Sequence, residues 1–115
     1  MASHKDLKVW QESMDLTVKV YQLVESFPRE EMFGLTSQIK RSVVSIPSNI
    51  AEGAARQSKA EFKRFLRIAL GSASELETQI EIAYRLGYIK NLYLECDQSI
   101  RLIKSMLSKL IKSLD

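Results

Sequence analysis

The segment between residues 35 and 55 constrains the fold most, because its apolar residues recur at helical spacing on two separate sides. One side carries large aliphatic residues, namely Leu35, Ile39, Val43, Ile46 and Ile50. Two further sides follow, a polar one with Gln38, Ser42, Ser45, Asn49, Glu52 and Arg56, and a small apolar one with Val44, Pro47, Ala51 and Ala55. A helix with two apolar faces cannot cover both within one small helical domain. The pattern therefore predicts that one face packs against its own chain and the other against a partner chain.

A proline, Pro47, lies inside this helical pattern. In a helix interior it removes one backbone hydrogen bond and costs about 3 kcal/mol. Because the apolar spacing continues in phase past the proline, we favour one helix from about Leu35 to Ala55 with a kink near Val43. The alternative is a helix that ends at Ile46 and a turn that begins at the proline, since the next two residues also favour turns.

Three further helices are predicted around this segment. The first begins near Asp6, a suitable N-cap, and ends at residues 27–28, where a proline forces the preceding residue out of helical geometry. The third begins with a capping box between Ser58 and Glu61 and ends at Gly87. The fourth begins near residue 91. Four helices with short connections predict an all-α, antiparallel up-down-up-down four-helix bundle, with residues 1–115 forming a single domain.

The third and fourth helices each carry a continuous apolar face. In the third helix the face comprises Phe62, Phe65, Leu66, Ala69, Leu70, Ala73, Leu76, Ile80 and Tyr84. In the fourth a seven-residue repeat comprises Cys96, Ile100, Ile103, Leu107, Leu110 and Leu114. Gly71 lies on the outer side of the third helix, flanked by Ile68 and Ile82, and this small residue indicates close approach by another helix. Together with the second apolar face at residues 44–55, it predicts a homo-oligomer.

Composition excludes several classes of protein. Of the 115 residues, 45% are hydrophobic, which is enough for a core and too many for a disordered chain. The single cysteine, Cys96, rules out an intrachain disulfide and fits a reducing compartment. No apolar run is long enough to cross a membrane, and the N-terminus lacks a signal-peptide pattern. We therefore expect a soluble cytoplasmic protein without membrane association.

Positive charge is concentrated in the middle of the chain, although the net charge is only +3. Residues 36–70 hold two acidic and seven basic residues, the latter being Lys40, Arg41, Arg56, Lys59, Lys63, Arg64 and Arg67. Such a group predicts a nucleic-acid-binding surface, and a solvated helix surface is the alternative. Three of the seven, Lys59, Lys63 and Arg67, share one flank of the third helix. No aromatic residue interleaves with them there, because the nearby phenylalanines face the core. We therefore expect salt-dependent contacts to the nucleic-acid backbone with weak sequence specificity.

Catalytic and metal chemistry find little support in the sequence. His4 is the only histidine, no glycine-rich phosphate loop occurs, and Cys96 is best explained as a small core residue. We expect no metal, no cofactor and no enzyme activity. The carboxylates Glu52 and Glu75 lie near the polar side of the second helix but lack the histidine partners of a two-metal site. We predict instead that Glu52 joins an arginine such as Arg41 in a partly buried network between helices or between chains.

Residues 46–53, Ile-Pro-Ser-Asn-Ile-Ala-Glu-Gly, resemble the signature of a bacterial family of four-helix-bundle proteins first noted as open reading frames within intervening sequences of large-subunit ribosomal RNA genes. Residues 7–11, 38–42, and several positions between 62 and 78 are also similar, so the resemblance covers residues 6–114. Asn49, Glu52 and Gly53 belong to its most specific motif. The resemblance implies an up-down-up-down bundle that forms a homopentameric ring, without enzyme activity or defined active-site residues.

The same resemblance favours RNA as the ligand. A distant relative with this bundle, the accessory protein of diversity-generating retroelements, is a basic pentamer that binds nucleic acid and a reverse transcriptase; by analogy of fold it supports such a role here. A scaffold that binds another protein without nucleic acid is the alternative. Convergence of the seven cations on one surface would favour nucleic acid, whereas neutralisation of those cations by Glu75, Glu77 and Glu81 across an interface would favour the scaffold.

Overall fold

Four α-helices make up most of the protein in the computed structural model, which describes residues 3–115. Their bounds are α1 Lys8–Val24, α2 Leu35–Ala54, α3 Lys59–Arg85 and α4 Tyr93–Ser113. Two short 3-10 turns, His4–Asp6 and Arg29–Glu31, precede α1 and α2. The described residues contain no β-strand, so the all-α prediction is confirmed.

Membrane insertion has no candidate segment in the described part of the chain, because none of its helices combines the length and apolarity that a membrane span requires. Met1 and Ala2 belong to the N-terminus in which we recognise no signal peptide, and they lie outside the described residues.

The four helices share one hydrophobic core. The predicted inner side of α2 is confirmed, because Ile39, Val43, Ile46 and Ile50 are fully buried and Leu35 is half-buried against them. The other helices contribute Val9, Leu16, Val20, Val24, Phe62, Leu66, Ala69, Ala73, Leu76, Ile80, Ala83, Ile100, Ile103 and Leu107. Removal of these side chains from water is the main favourable term in folding.

Pro47 lies inside α2, which continues past it. The prediction of one helix is therefore confirmed, the alternative that ends at Ile46 is wrong, and the kink stays a prediction. Because proline has no N–H, the carbonyl oxygen of Val43 loses its helical donor. The Thr17 hydroxyl of α1 lies 3.4 Å from that oxygen, while its shorter bond, 2.7 Å, goes to the Ser13 carbonyl.

The small apolar side of α2 is only partly uncovered. Pro47 is buried within the single chain and Ala51 is half-buried. Val44, which is 39% exposed, and Ala55 remain at the surface. The prediction that this whole side packs against a partner chain is therefore wrong at Pro47, because the same chain already buries that residue.

The start of α1 differs from the prediction. Asp6 belongs to the preceding 3-10 turn, which the Ser3 hydroxyl caps by accepting a hydrogen bond from the Lys5 amide at 3.2 Å. The helix proper begins at Lys8 and ends at Val24, shortly before the predicted stop. Shifts of this size are common where a helix end is set by local capping rather than by periodicity.

Both ends of α3 are as predicted. The Ser58 hydroxyl accepts from the Glu61 amide at 3.1 Å, and Gly87 follows the helix with a φ of +83°, a conformation that favours glycine. The second half of the capping box does not form, because the Glu61 carboxylate binds Arg64 instead.

The predicted apolar face of α3 is wrong at Tyr84, which is 44% exposed and stacks on Tyr93 at 4.0 Å between ring centres. Ala83, one residue earlier, and Ser72 take inward positions instead. Small residues at these positions let a neighbouring helix approach α3 closely.

The buried side of α4 follows the predicted repeat. Ile100, Ile103 and Leu107 are fully buried, whereas Cys96, Leu110 and Leu114 are half-buried against the core. The helix begins at Tyr93 rather than near residue 91.

Polar contacts tie α4 to both ends of α3. Near the start of α3, the Lys63 ammonium binds the carboxylate of Asp115, which follows the end of α4. Near the end of α3, Glu81 accepts a hydrogen bond from the hydroxyl of Tyr93, the first residue of α4.

Candidate nucleic-acid interface

The seven central basic residues do not gather at one place in the single chain. They form three groups: an α2 pair of Lys40 and Arg41, a Phe65 cluster with Arg56 and Arg64, and an α3 row of Lys59, Lys63 and Arg67. Sixteen positions separate Lys40 from Arg56, which corresponds to about 24 Å along a helix. The three groups therefore have to be considered separately.

In the Phe65 cluster the cations are already engaged. Arg56 and Arg64 lie over the Phe65 ring, 5.0 and 4.4 Å from its centre. Arg56 also pairs with Glu52 at 2.8 Å, and Arg64 pairs with Glu61 at 3.0 Å. The hydrogen bond from Arg64 lowers the pKa of Glu61, which keeps that carboxylate charged. Binding a phosphate here would require an internal ion pair to break.

The α3 row is partly engaged. Lys63 binds the Asp115 carboxylate, and this hydrogen bond lowers the pKa of Asp115, with a smaller contribution from the charge of Arg67. Lys59 and Arg67 are exposed and form no ion pair within residues 3–115. Two cations of this row can therefore meet a ligand without losing a partner.

The α2 pair borders a groove between α1 and α2. The ammonium nitrogen of Lys40 lies 5.1 Å from the centre of the Tyr21 ring, a cation–π distance. Arg41 is exposed and also borders a second groove towards α3. Neither cation has an ion-pair partner in the described part of the chain.

Glu52 and Arg41 do not form the predicted network within one chain. Glu52 pairs with Arg56, one turn away, and its side chain is 51% exposed. Arg41 lies eleven residues earlier on the same helix, about 16 Å along the axis, which is beyond the reach of the two side chains. The prediction is wrong within the chain, and a pair between chains stays a prediction.

Asn49 and Gly53 both serve the contact between α2 and α3. The Asn49 amide donates to the Ser45 carbonyl at 2.8 Å and to the Ser45 hydroxyl at 2.9 Å, and that hydroxyl lies 2.8 Å from the hydroxyl of Ser72 on α3. A Cβ added at Gly53 would lie 2.8 Å from the Cβ of Phe65. The motif located these residues in the sequence, but their partners became visible only in the fold.

A polar groove of about 480 Å³ runs along this contact. Its lining comprises Gln38, Arg41, Ser42, Ser45, Ser72, Glu75 and Gln79. The polar side of α2 could be recognised in the sequence. The sequence did not show that α3 forms the other side of the groove. Nearby, Glu77 binds Lys104 at 2.9 Å and Glu81 binds Arg85 at 2.8 Å, so neither neutralises the central cations within the chain.

The groove between α1 and α2, which we call the Phe33 groove, has a volume of about 610 Å³. Its lining comprises Tyr21, Met32, Phe33, Ser37, Lys40, Arg41, Val44, Ser45, Ser48 and Asn49. Phe33 is 92% exposed, so the fold lacks the stabilisation of about 1.5–3 kcal/mol that burying a phenylalanine side chain would give. Sequence reasoning missed this site because it considered aromatic residues only beside the cations of α3. The available sequence signal was the pair of adjacent apolar residues, Met32 and Phe33, in the polar connection before α2.

The residues singled out for reactive chemistry lie apart. Within residues 3–115, no three His, Cys, Asp or Glu residues come together as a set of metal ligands. The His4 ring packs edge-on against Trp10 at 5.1 Å. Burial against the core raises the pKa of the Cys96 thiol to about 11, so it is protonated at neutral pH and is a weak nucleophile.

Both the sequence and the fold resemble those of known proteins. A search of curated proteins found no match. The chain is similar to the crystal structure, at 1.70 Å resolution, of a protein with unknown function from the S23 ribosomal protein family of Bacteroides thetaiotaomicron. The two share 33% sequence identity and superpose with a TM-score of 0.83, covering 90% of this chain and 95% of the other. A sequence model described as 23S rRNA-intervening sequence protein matches residues 5–109, and the chain therefore belongs to that family.

Proposed function

We propose that the protein is a non-enzymatic nucleic-acid-binding protein, with RNA the favoured ligand, that works in the cytoplasm as a homopentameric ring. One observation carries the proposal: four of the seven central cations lack an ion-pair partner in the described chain, namely Lys40, Arg41, Lys59 and Arg67. Such cations can displace counterions from phosphates without breaking an internal pair. The family name refers to 23S rRNA, which favours RNA over DNA.

Within each subunit we propose the antiparallel up-down-up-down bundle. Support comes from the contacts at the ends of α3, where Lys63 meets Asp115 after α4 and Glu81 meets Tyr93 at the start of α4. Such contacts support an antiparallel arrangement of α3 and α4. Short connections between all four helices favour the same order.

The ring finds support in apolar residues that one chain leaves uncovered. Ala55 after α2 and Ile68 and Ile82 on α3 are exposed. A Cβ added at Gly71 would meet nothing within 4 Å, so a helix of another chain has room to approach α3 there. Sedimentation equilibrium is expected to give roughly five times the 13.2 kDa mass of one chain. A species of 13.2 kDa at micromolar concentration would contradict the ring.

Filter binding of a structured RNA, titrated with salt, tests the nucleic-acid role. We expect the logarithm of the affinity to fall linearly with the logarithm of the salt concentration, because each phosphate contact releases a counterion. The variant Lys59→Ala/Arg67→Ala should bind more weakly and with a shallower slope. The matched control, Lys5→Ala/Lys90→Ala, removes the same charge from exposed sites outside residues 36–70 and should retain the parental slope.

A scaffold that binds another protein is the second candidate. It is favoured by an apolar cleft of about 280 Å³ between α1 and α4, whose lining includes Leu16, Val20, Leu23 and Cys96. The exposed side chain of Leu92, just before α4, also lines this cleft. Absence of RNA binding by the parent at low salt would favour this candidate over the nucleic-acid role.

A further inference from the structure

The Phe33 groove combines aromatic rings with unneutralised cations. Phe33 presents nearly its whole ring to solvent, and Tyr21 borders the same groove beneath Lys40. Lys40 and Arg41 contribute two positive charges, and no Asp or Glu occurs among the described residues of its lining. Aromatic surfaces beside such cations are the two features that sites for single-stranded nucleic acid combine.

One edge of the groove also offers a hydrogen-bond acceptor. The nitrogen of the Asn49 amide must face Ser45, because the carbonyl oxygen of Ser45, 2.8 Å away, can only accept. The second N–H of that amide points to the Ser45 hydroxyl at 2.9 Å. The oxygen Oδ1 of Asn49 therefore keeps its capacity to accept, and the exposed Ser48 borders the groove next to it.

We infer that the Phe33 groove binds an unpaired nucleotide within a single-stranded segment of RNA. The base stacks on Phe33, the adjoining phosphates bind Lys40 and Arg41, and Asn49 Oδ1 accepts from an N–H on the edge of the base. The volume of about 610 Å³ lies within the range of sites for small ligands.

This inference rests on the proposed nucleic-acid binding and specifies its ligand. It also replaces the expectation that contacts are made to the backbone alone, because α2 and the connection before it place an exposed ring and two cations in the lining of one groove. Binding at this groove depends on base exposure, whereas binding at the α3 row depends on phosphates.

A second copy of the chain is the competing occupant of the groove. The centre of a protein–protein interface is enriched in arginine, methionine and aromatic residues but depleted of lysine, so Lys40 is the residue of the groove that does not fit a second copy. A partner chain would have to bring carboxylates to both Lys40 and Arg41. A nucleotide supplies a flat ring, a negative charge and hydrogen-bond donors in one ligand, so it satisfies every feature of the groove.

Fluorescence anisotropy with full-length protein tests the inference. The probes are a labelled single-stranded RNA oligonucleotide and the same strand annealed to its complement. The parent is expected to bind the single strand more tightly than the duplex, because pairing makes the bases unavailable for stacking.

The variants separate stacking from charge. Phe33→Ala is expected to weaken single-strand binding by roughly 5- to 100-fold, the effect of losing one stacked base. It should leave the salt slope unchanged, since no phosphate contact is lost. Lys40→Ala should lower the slope by about 0.7. Leu94→Ala, which removes another exposed apolar side chain outside the groove, is the matched control and should bind as the parent does.

Each alternative outcome overturns the inference in a distinguishable way. Equal single-strand affinities of the parent and Phe33→Ala would exclude the groove and leave the proposed nucleic-acid binding intact. Absence of binding by the parent at low salt would remove both proposals. Dissociation of the Phe33→Ala oligomer in sedimentation would assign the groove to a second copy of the chain. Photocrosslinking with 4-thiouridine RNA gives an independent result: crosslinks to peptides containing Tyr21 or Phe33 support the inference, and crosslinks confined to α3 contradict it.

Discussion

The Phe65 cluster and the Phe33 groove contain the same kinds of residue in opposite conditions. Both place two cations beside an aromatic ring. Phe65 is only 9% exposed, and its two arginines each have a carboxylate partner. Phe33 is almost fully exposed, and its cations have no such partner in the described chain. The first arrangement is neutralised internally, whereas the second leaves the Phe33 ring exposed and both cations without a carboxylate, although Lys40 lies over the Tyr21 ring.

This difference shows that the number of basic residues does not define a binding surface. The sequence places Arg56, Arg64, Lys40 and Arg41 in one positive segment. Local spacing distinguishes them, because Glu52 and Glu61 lie one turn from their arginines and neutralise them. The Phe65 cluster should therefore govern stability, and the Phe33 groove should govern binding.

Truncation of the two rings gives the largest expected difference. Phe65→Ala should lower the free energy of unfolding by about 3–5 kcal/mol, because it removes a buried aromatic side chain and leaves a cavity. Phe33→Ala should change it by no more than about 0.5 kcal/mol, as expected for a surface substitution. Urea denaturation at one fixed protein concentration measures both, because association affects apparent stability. Equal losses for the two variants would remove the distinction between the sites.

The next largest effect concerns the close helix approach that buries Phe65. Gly53→Ala should destabilise the protein by about 1–3 kcal/mol, since its Cβ would lie 2.8 Å from the Phe65 Cβ and 3.1 Å from the Phe62 ring. Gly71→Ala is the comparison within one subunit, because its Cβ meets no atom of its own chain within 4 Å and alanine is the better helix former by about 1 kcal/mol. A loss of stability at Gly71 would instead indicate that another chain packs closely against α3. Thermal unfolding of both variants checks the pair. A Gly53→Ala protein as stable as the parent would show that α2 and α3 can separate at no cost.

The helices themselves were predictable because apolar spacing repeats over many turns. The buried side of α2, the continuation through Pro47 and the ends of α3 at Ser58 and Gly87 all follow from local rules of periodicity and capping. The start of α1 could not be predicted in the same way, because the Ser3 hydroxyl caps a separate 3-10 turn before it. Periodicity determines which residues face inward more reliably than it determines where a helix begins.

The candidate site was less predictable, because it depends on contacts between segments that are distant in sequence. The sequence shows that basic residues are concentrated between positions 36 and 70. It does not show that the fold divides them into three separate groups. The sequence predicts an ion pair between Arg41 and Glu52 because both are charged residues of α2. Eleven residues of one helix separate them, however, which is too far for their side chains to meet. Phe33 lies in a connection, where periodicity gives no signal, and Tyr21 reaches the same groove from α1. A sequence search for aromatic residues near cations has to consider neighbouring helices as well as one helix.

Exchanging the electrostatic conditions of the two sites should reverse their contributions to RNA binding. Glu52→Gln/Glu61→Gln releases both arginines of the Phe65 cluster and is expected to raise RNA affinity severalfold with a steeper salt slope. Lys40→Ala/Arg41→Ala should make the slope shallower by about 1.4, two contacts of about 0.7 each. Salt titrations of single-stranded RNA binding measure both changes. An unchanged salt slope in the glutamine variant would mean that the ion pairs with Glu52 and Glu61 are not what prevents the Phe65 cluster from binding RNA.

The smallest expected effect is the pH dependence of the Glu61–Arg64 pair. The hydrogen bond from Arg64 holds the pKa of Glu61 below its ordinary value of 4.5. Because the pKa is depressed in the folded state, the pair stabilises the protein above that ordinary value, and the contribution is lost as pH falls through the lower folded pKa. Exposed pairs contribute little and are screened by salt, so the change should be small.

The Glu61→Gln variant isolates this pH dependence. It should melt slightly below the parent at neutral pH and low salt, and the difference should vanish in acid, where the parental carboxylate is also uncharged. Glu30→Gln is the matched control, since Glu30 is exposed and forms no ion pair in the described chain. A melting difference that persists unchanged through the acid range would show that Glu61 acts by shape or hydrogen bonding rather than by charge. The engaged state of the Phe65 cluster would then need an explanation other than electrostatic pairing with Glu61.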